Sequence, residues 1–258
     1  MEVHGKVVVV TGAANGIGRA LARRFSKEGA RKIIIADLDE QGLKRVEAET
    51  GAESFKVDVA CEEDIQSLIE SCERKYEGID LLCNNAGIGV NGGPEVRNED
   101  WQKIWEINVM AHVYAARAAI PGMLRRGAGY ILNTASAAGL LSQIGSAPYA
   151  VTKHAAVSFA EWLAITYGDR GLKVSVLCPQ AVRTAMTADD PDGVASVDGM
   201  IEPEEVSEAV IAALKKESFL VLPHPKVLDY IQRKSGDYDR WIEGMKRLQS
   251  NYRVTDWP

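Results

Sequence analysis

The chain has 258 residues, 46% of them hydrophobic and 26% charged, a balance ordinary for a soluble globular protein. Thirty basic against 36 acidic side chains leave a formal net charge of −6, which argues against a nucleic-acid surface. No run approaches the ~20 apolar residues of a membrane span, and the sequence enters structured motifs directly after Met1, so neither a membrane segment nor a signal peptide is expected. Cys61, Cys72, Cys83 and Cys178 are scattered without a CxxC pair and read as reduced thiols of a cytoplasmic protein. His4, His112, His154 and His224 lack metal-ligand spacing, so no metal site is expected.

KVVVV at 6–10 predicts a first strand, followed by GIGRALARRFSKEGA with helical spacing. IIIAD at 33–37 predicts the second, before an amphipathic stretch from Asp39 to about Thr50. SFKVDV at 54–59, a helix from about Cys61 to Tyr76, DLLCNNAG at 80–87 and a long helical segment from about Glu99 to Arg126 come next. YILNTAS begins at Tyr130, a helix carrying Tyr149 and Lys153 runs to about Tyr167, and LKVSVLCP ends at Pro179. A helix near 203–217 and FLVLP at 219–223 close the pattern. Strands written as continuous apolar runs and alternating with helices predict an α/β, doubly wound parallel sheet of Rossmann type with helices on both faces. No linker, repeat or low-complexity tract interrupts it, so residues 1–258 read as a single domain.

The chemistry-bearing residues stand at predicted strand ends. TGAANGIG at 11–18 follows the first strand and opens the first helix. Gly12, Gly16 and Gly18 permit a tight turn, with Asn15 and Ile17 between them, and aim a helix N-terminus at a phosphate group. Asp37 ends the second strand, where an acid accepts hydrogen bonds from ribose hydroxyls and repels a 2′-phosphate. Leu38 follows it, and no arginine or lysine stands where a phosphate partner would be needed, which favours NAD over NADP. Asp58 ends the third strand, within reach of an adenine amino group, and Asn84-Asn85-Ala86-Gly87 end the fourth. Tyr149 and Lys153 lie at i and i+4 of a helix, on one face. Two unit charges about 4 Å apart at an effective dielectric near 20 interact by roughly 4 kcal/mol, about three pKa units, so the lysine is expected to bring the phenol towards neutrality as a general acid or base.

Together these motifs resemble the short-chain dehydrogenase/reductase family from about Gly5 to Pro223. TGAANGIG resembles its cofactor loop, Asp37 its NAD-selecting acid, and Val57-Asp58-Val59 its adenine-site segment. NNAG resembles its strand-4 motif, Asn108 its helix asparagine, Ser136 in NTASAAG its serine, and YAVTK its tyrosine–lysine pair. The resemblance implies an NAD(H)-dependent oxidoreductase with a catalytic set of Asn108, Ser136, Tyr149 and Lys153. Tyr149 would be the general acid or base, Lys153 would lower its pKa and bind the nicotinamide ribose, and Ser136 would hold the substrate oxygen. Asn108 would support a water-linked proton path. Asn85, Ala86, Gly87, Pro179, Val182 and Thr184 would complete the cofactor site. One departure stands out: the family reads P-G-x-x-x-T after the sixth strand, whereas this chain has Pro179-Gln180-Ala181-Val182-Arg183-Thr184.

Specificity is expected in the segments 87–96, 139–147 and 184–202, the last read as a lid. Val90, Leu140, Leu141, Ile144 and Met186 are candidate pocket residues. They point to a neutral, largely apolar secondary alcohol or ketone, although Arg183 keeps an anionic group open. In the extension from 224 to 258, Trp241, Met245 and Leu248 have helical spacing beside Ile242. This predicts an amphipathic helix packed on its own subunit, or one that closes over a neighbour's pocket. The resemblance further implies a homodimer or homotetramer, with interface faces around Val109, Val113 and Ala116 and around Val157, Phe159 and Leu163. The rival readings are an NADP(H)-dependent carbonyl reductase and a non-catalytic NAD-binding regulator.

Overall fold

Along the first strand, β1 (Val7–Thr11), consecutive side chains enter two different cores. Val7 and Val9 join one hydrophobic cluster, Val8 and Val10 the other. A strand covered on both faces has no solvated side to mark with polar residues, which is why its sequence is an unbroken apolar run. Residues 1–188 and 192–252 are described by a computed structural model.

Six further strands run parallel to β1 among the described residues: β2 (Lys32–Asp37), β3 (Glu53–Lys56), β4 (Leu81–Asn84), β5 (Gly129–Thr134), β6 (Leu172–Leu177) and β7 (Leu220–Val221). Their order is β3-β2-β1-β4-β5-β6-β7. On one face pack α1 (Gly16–Lys27), α2 (Glu40–Thr50) and α8 (Pro203–Lys216), through residues such as Leu21, Phe25, Val46 and Val210. On the other pack α3 (Glu62–Tyr76), α5 (Ala111–Arg126) and α7 (Ala147–Tyr167), through Ile65, Ile69, Met123 and Leu163. The expected doubly wound fold is therefore the one observed.

Four local differences have physical causes. The third strand stops at Lys56, not Val59, because its neighbour β2 ends at Asp37, the partner of Lys56. Asp58 lies in the turn beyond, where its Oδ1 accepts from the Ala60 N–H at 2.9 Å. The long helix near 99–126 is divided into α4 (Asn98–Trp105), a π-helical turn (Glu106–Met110) and α5. The 139–147 segment contains a short helix, α6 (Ala138–Leu141), in place of a continuous loop. The C-terminal extension forms two helices, α9 (Lys226–Gly236) and α10 (Tyr238–Gln249). The break falls at Asp237, whose extended backbone (φ −157°) is incompatible with helix and whose side chain caps α10 by accepting from Arg240 N–H at 3.0 Å.

Candidate active site

Strand order reverses between β1 and β4, the switch point at which open α/β sheets bind ligands beyond the carboxyl ends of their strands. A cleft of about 460 Å³ opens there. Gly12, Asn15, Gly16 and Ile17 line it from the loop after β1 and the start of α1, and Asp37, Leu38, Asp58 and Val59 from the end of β2 and the turns after β2 and β3. Asn85, Ala86, Gly87, Ser136, Tyr149 and Lys153 line the opposite part, with Pro179, Val182 and Thr184 above them. Of the residues expected to form the catalytic set and to bind the cofactor, Gly18 and Asn108 stay behind the wall. Gly18 packs against the Gly12 carbonyl, and Asn108 is fully buried.

Hydrogen bonds hold this rim in shape. Gly12 has φ +63°, and a Cβ on it would stand 2.7 Å from the Ala86 Cα, so the two loops touch through backbone alone. Asp37 is not idle: Oδ2 accepts from Ala14 N–H at 3.0 Å and Oδ1 from Asp39 N–H at 3.1 Å. Asn85 ties three strand ends together, donating to the carbonyls of Thr11 and Gly12 at 3.1 and 3.2 Å and accepting from the Thr134 hydroxyl at 3.3 Å. Such a rim leaves backbone N–H groups and a helix start facing the cleft, the donor set a pyrophosphate needs.

The opening of α7 brings Tyr149 and Lys153 beside Ser136. Lys153 is 3% exposed, and its Nζ donates to the Thr134 carbonyl at 3.1 Å and stands 5.5 Å from the centre of the Tyr149 ring. Burial penalises the ammonium and lowers its pKa from 10.5 to about 8. Tyr149 is pushed up, not down: burial disfavours its phenolate more than the neighbouring Ser136 hydroxyl favours it. Lys153 by itself does not bring the phenol towards neutrality, because the same dry surroundings penalise its ammonium; the resemblance gives part of that role to the positive charge of oxidised nicotinamide. His112 nearby is held neutral, its pKa pushed down to about 3 by burial and by the Lys153 charge. Asn108 sits in the π turn, a distortion common at functional sites. Its amide accepts from Ile88 N–H at 2.9 Å and donates to the Ile88 carbonyl at 3.0 Å and to Thr152 Oγ1 at 3.2 Å.

Gln180, the departure after β6, keeps negative φ and works as a strut. Its Nε2 donates to Asp198 Oδ2 at 3.2 Å, and its backbone N–H donates to His224 Nδ1 at 3.2 Å. Asp198 also accepts from Lys226 Nζ at 2.9 Å and from the Tyr230 hydroxyl at 3.1 Å. Of the expected lid, residues 189–191 lie outside those described. Its second half is stitched to the strand-6 extension through Arg183 N–H to the Ile201 carbonyl (2.9 Å) and Ile201 N–H to the Ala181 carbonyl (3.2 Å).

A second cavity of about 830 Å³ joins the cleft at Ser136, Gln143, Gln180 and Ala195. Leu141 and Ile144 form one wall, Val194 and Val197 another, and Trp241, Met245 and Leu248 of α10 the roof. Of the pocket residues expected from sequence, Met186 lines the cleft and Leu141 and Ile144 the second cavity. Val90 and Leu140 line neither; the Val90 carbonyl instead accepts from the Ser146 hydroxyl at 2.6 Å, and the Leu140 carbonyl from Lys234 Nζ at 2.7 Å. Arg183 points away to Glu202 at 2.7 Å. Sequence reading missed Gln143, Asp198 and the arginines of the C-terminal helices, which belong to no motif and acquire their place only through tertiary packing. Among the described residues no group of acids, histidines or cysteines is arranged to hold a metal, and no helix is long and apolar enough to cross a membrane.

Of the residues expected at an oligomer interface, Val109, Ala116, Val157 and Leu163 are buried in the core of their own chain, whereas Val113 and Phe159 are half-buried. Large apolar side chains are exposed beside them at Trp105 of α4 and at Val151, Trp162 and Ile165 of α7, the last 83% exposed.

Comparison with known proteins identifies the family. A short chain dehydrogenase family model matches residues 6–194, and the chain belongs to that family. It is therefore an oxidoreductase of the short-chain dehydrogenase/reductase type, a family that binds a nicotinamide cofactor. It is 37% identical over 230 residues to a 1-deoxy-11-beta-hydroxypentalenate dehydrogenase of Streptomyces exfoliatus, covering 85% of this chain and 83% of that one. It is 34% identical to a meso-2,3-butanediol dehydrogenase of Serratia marcescens, covering 84% and 90%. Among solved structures, a short chain dehydrogenase/reductase from Burkholderia phymatum in complex with NAD superposes with a TM-score of 0.84 at 29% identity, covering 100% of this chain and 99% of that one. L-Sorbose reductase from Gluconobacter frateurii, complexed with NADPH and L-sorbose, gives 0.76 at 28% identity, covering 86% and 97%.

Proposed function

We propose that this chain transfers a hydride reversibly between NAD(H) and a secondary alcohol or ketone with a largely apolar body. The observation that carries the reading is the meeting of Ser136, Tyr149 and Lys153 in a switch-point cleft that the first residues of α1, Gly16 and Ile17, also line. Bound nicotinamide supplies or accepts the hydride. Tyr149 gives its phenolic proton to the carbonyl oxygen in reduction and takes the alcohol proton in oxidation. Ser136 holds that oxygen beside the phenol. Lys153 uses one of its N–H bonds on Thr134 and keeps two for ribose hydroxyls, and its charge offsets the phenolate penalty that burial imposes. Asn108 is a positioning residue that fixes Ile88 and Thr152 and supports a water-linked proton path past Lys153.

The preference for NAD rests on two features. Asp37 stands at the ribose end of the cleft, and Lys153 is the one cation among the described residues that line it, so a 2′-phosphate would meet a carboxylate and no guanidinium. We further read residues 1–258 as one domain, cytoplasmic, assembling as a homodimer or homotetramer through the exposed Trp105, Trp162 and Ile165 faces. The test is reduced-nicotinamide absorbance across a panel of apolar secondary alcohols and ketones, each run with NAD(H) and NADP(H). Turnover favouring NAD(H) is expected. A clear NADP(H) preference would refute the assignment of Asp37, and tight cofactor binding with no turnover of any panel member would mean either a substrate outside the panel or a regulator.

A further inference from the structure

The cavity beneath α10 differs in chemistry from the cofactor cleft it joins. Its walls are apolar, yet its mouth carries Arg233, Arg240 and Arg247. Arg240 and Arg247 are seven positions apart on α10, two helical turns, so their stems rise from the same face about 10 Å apart. Trp241, Gly244 and Leu248 share that face, and the Arg247 guanidinium lies over Gly244, its Nη2 3.9 Å from where a Cβ would stand. Arg233 reaches the same mouth from the last turn of α9. Among the described residues, no carboxylate lies within ion-pair distance of these guanidinium groups, although many other arginines of the chain are so paired. The single acid of the lining, Asp237, is engaged in capping α10.

Three arginines against one carboxylate among the described residues leave a net positive charge at the end of an apolar channel, complementary to an anionic occupant with an apolar body. We propose that the cavity takes the body of the substrate, and that Arg233, Arg240 and Arg247 bind a carboxylate at its far end. The natural alcohol is then a hydroxy acid with an apolar skeleton. A guanidinium presents paired N–H donors that match both oxygens of a carboxylate, which a lone ammonium does not. The continuity at Ser136 and Gln143 lets one molecule place its carbinol at Tyr149 while its acid reaches the arginines. This deepens the oxidoreductase reading above and rests on it for the position of the carbinol. It replaces the neutral substrate expected from sequence, where these arginines belonged to no motif.

The experiment compares a secondary hydroxy acid of roughly ten carbons, matched to the ~10 Å face of α10 and hydroxylated at its penultimate carbon, with its methyl ester. Binding to the full chain is measured by titration calorimetry, and turnover separately with NAD(H). The acid is expected to bind about tenfold or more tightly than the ester, with the advantage falling as salt rises, because the arginines are exposed. In the Arg233→Gln, Arg240→Gln, Arg247→Gln triple variant the acid-to-ester ratio is expected to fall towards one. A wild-type ratio near one, or a ratio kept in the triple variant, would overturn the proposal. Preferential binding of the acid, lost in the variant but without turnover of either compound, would support the arginine site and count against the oxidoreductase reading instead. A single Arg240→Glu variant guards against misfolding of the triple: inversion of the preference supports the site, and an unchanged preference overturns it.

Discussion

Replacing Lys153 by methionine is expected to stabilise the folded protein near neutral pH while abolishing turnover. The shift of the Lys153 pKa from 10.5 to about 8 corresponds to about 3 kcal/mol by which the folded state disfavours the ammonium. Methionine fills a similar volume without a charge. It leaves the Thr134 carbonyl without its 3.1 Å donor, a loss of about 1 kcal/mol, so the net gain is about 2 kcal/mol. In a chain of this length that raises Tm by roughly 4–8 °C. The sign with pH follows from proton binding. Below about pH 8 the lysine is charged in both states, and its penalty is present in full. Between about 8 and 10.5 the unfolded chain holds a proton that the folded one releases, so wild-type stability rises through that window. Thermal denaturation by circular dichroism at pH 7 and pH 9.5 should therefore show a large gap between variant and wild type at the lower pH and a small one at the higher. A variant less stable than wild type at pH 7, or a gap that does not change with pH, would refute the reasoning.

Tyr149→Phe keeps the ring and removes the proton; turnover should fall about 10²–10⁴-fold with cofactor affinity unchanged, as read by quenching of protein fluorescence. Asp37→Asn can keep the acceptor for Asp39 N–H but loses the charge and the acceptor for Ala14 N–H, and should raise the NADP(H)-to-NAD(H) ratio of kcat/KM about tenfold, or about 1.4 kcal/mol. An unchanged ratio would remove Asp37 from cofactor selection. In Gly12→Ala the new methyl meets backbone at 2.7 Å with φ at +63°; cofactor binding should be lost and the melting temperature lowered by a strain of about 1–3 kcal/mol. A double Trp162→Asp, Ile165→Asp variant should be monomeric by light scattering where the wild type is oligomeric; a monomeric wild type would reject the assembly.

The fold was legible because its information is local and periodic. A strand sandwiched between two helix layers must be apolar throughout, as Val7–Val10 and Ile33–Ile35 are, and each is followed by a helix of regular spacing. The candidate site was legible for a related reason: residues at strand ends in a parallel sheet converge without any knowledge of packing, so Asp37, Asn85, Ser136 and Pro179 come together by topology alone. The electrostatics were not. The spacing of Tyr149 and Lys153 predicts their proximity but says nothing of the dryness that shifts both groups in the unhelpful direction. Exposed apolar faces were harder to read, since most apolar residues at helical spacing mark the inner stripe of α5 and α7, whereas the outward Trp162 and Ile165 break that pattern. The break between α9 and α10 rests on one extended residue, Asp237, inside a run whose composition is helical on both sides.

Asp198 ties its own segment to two others that arrive from separate places: Gln180 after β6, and Lys226 and Tyr230 on α9. For anyone recombining this protein with its relatives, that makes the C-terminal helices poor interchangeable parts. A graft of α9 and α10 carrying a new specificity would arrive without its anchor wherever the host has glycine in place of Gln180 or another residue in place of Asp198. Successful transplants should be those in which position 180, position 198 and α9 travel as one inherited block.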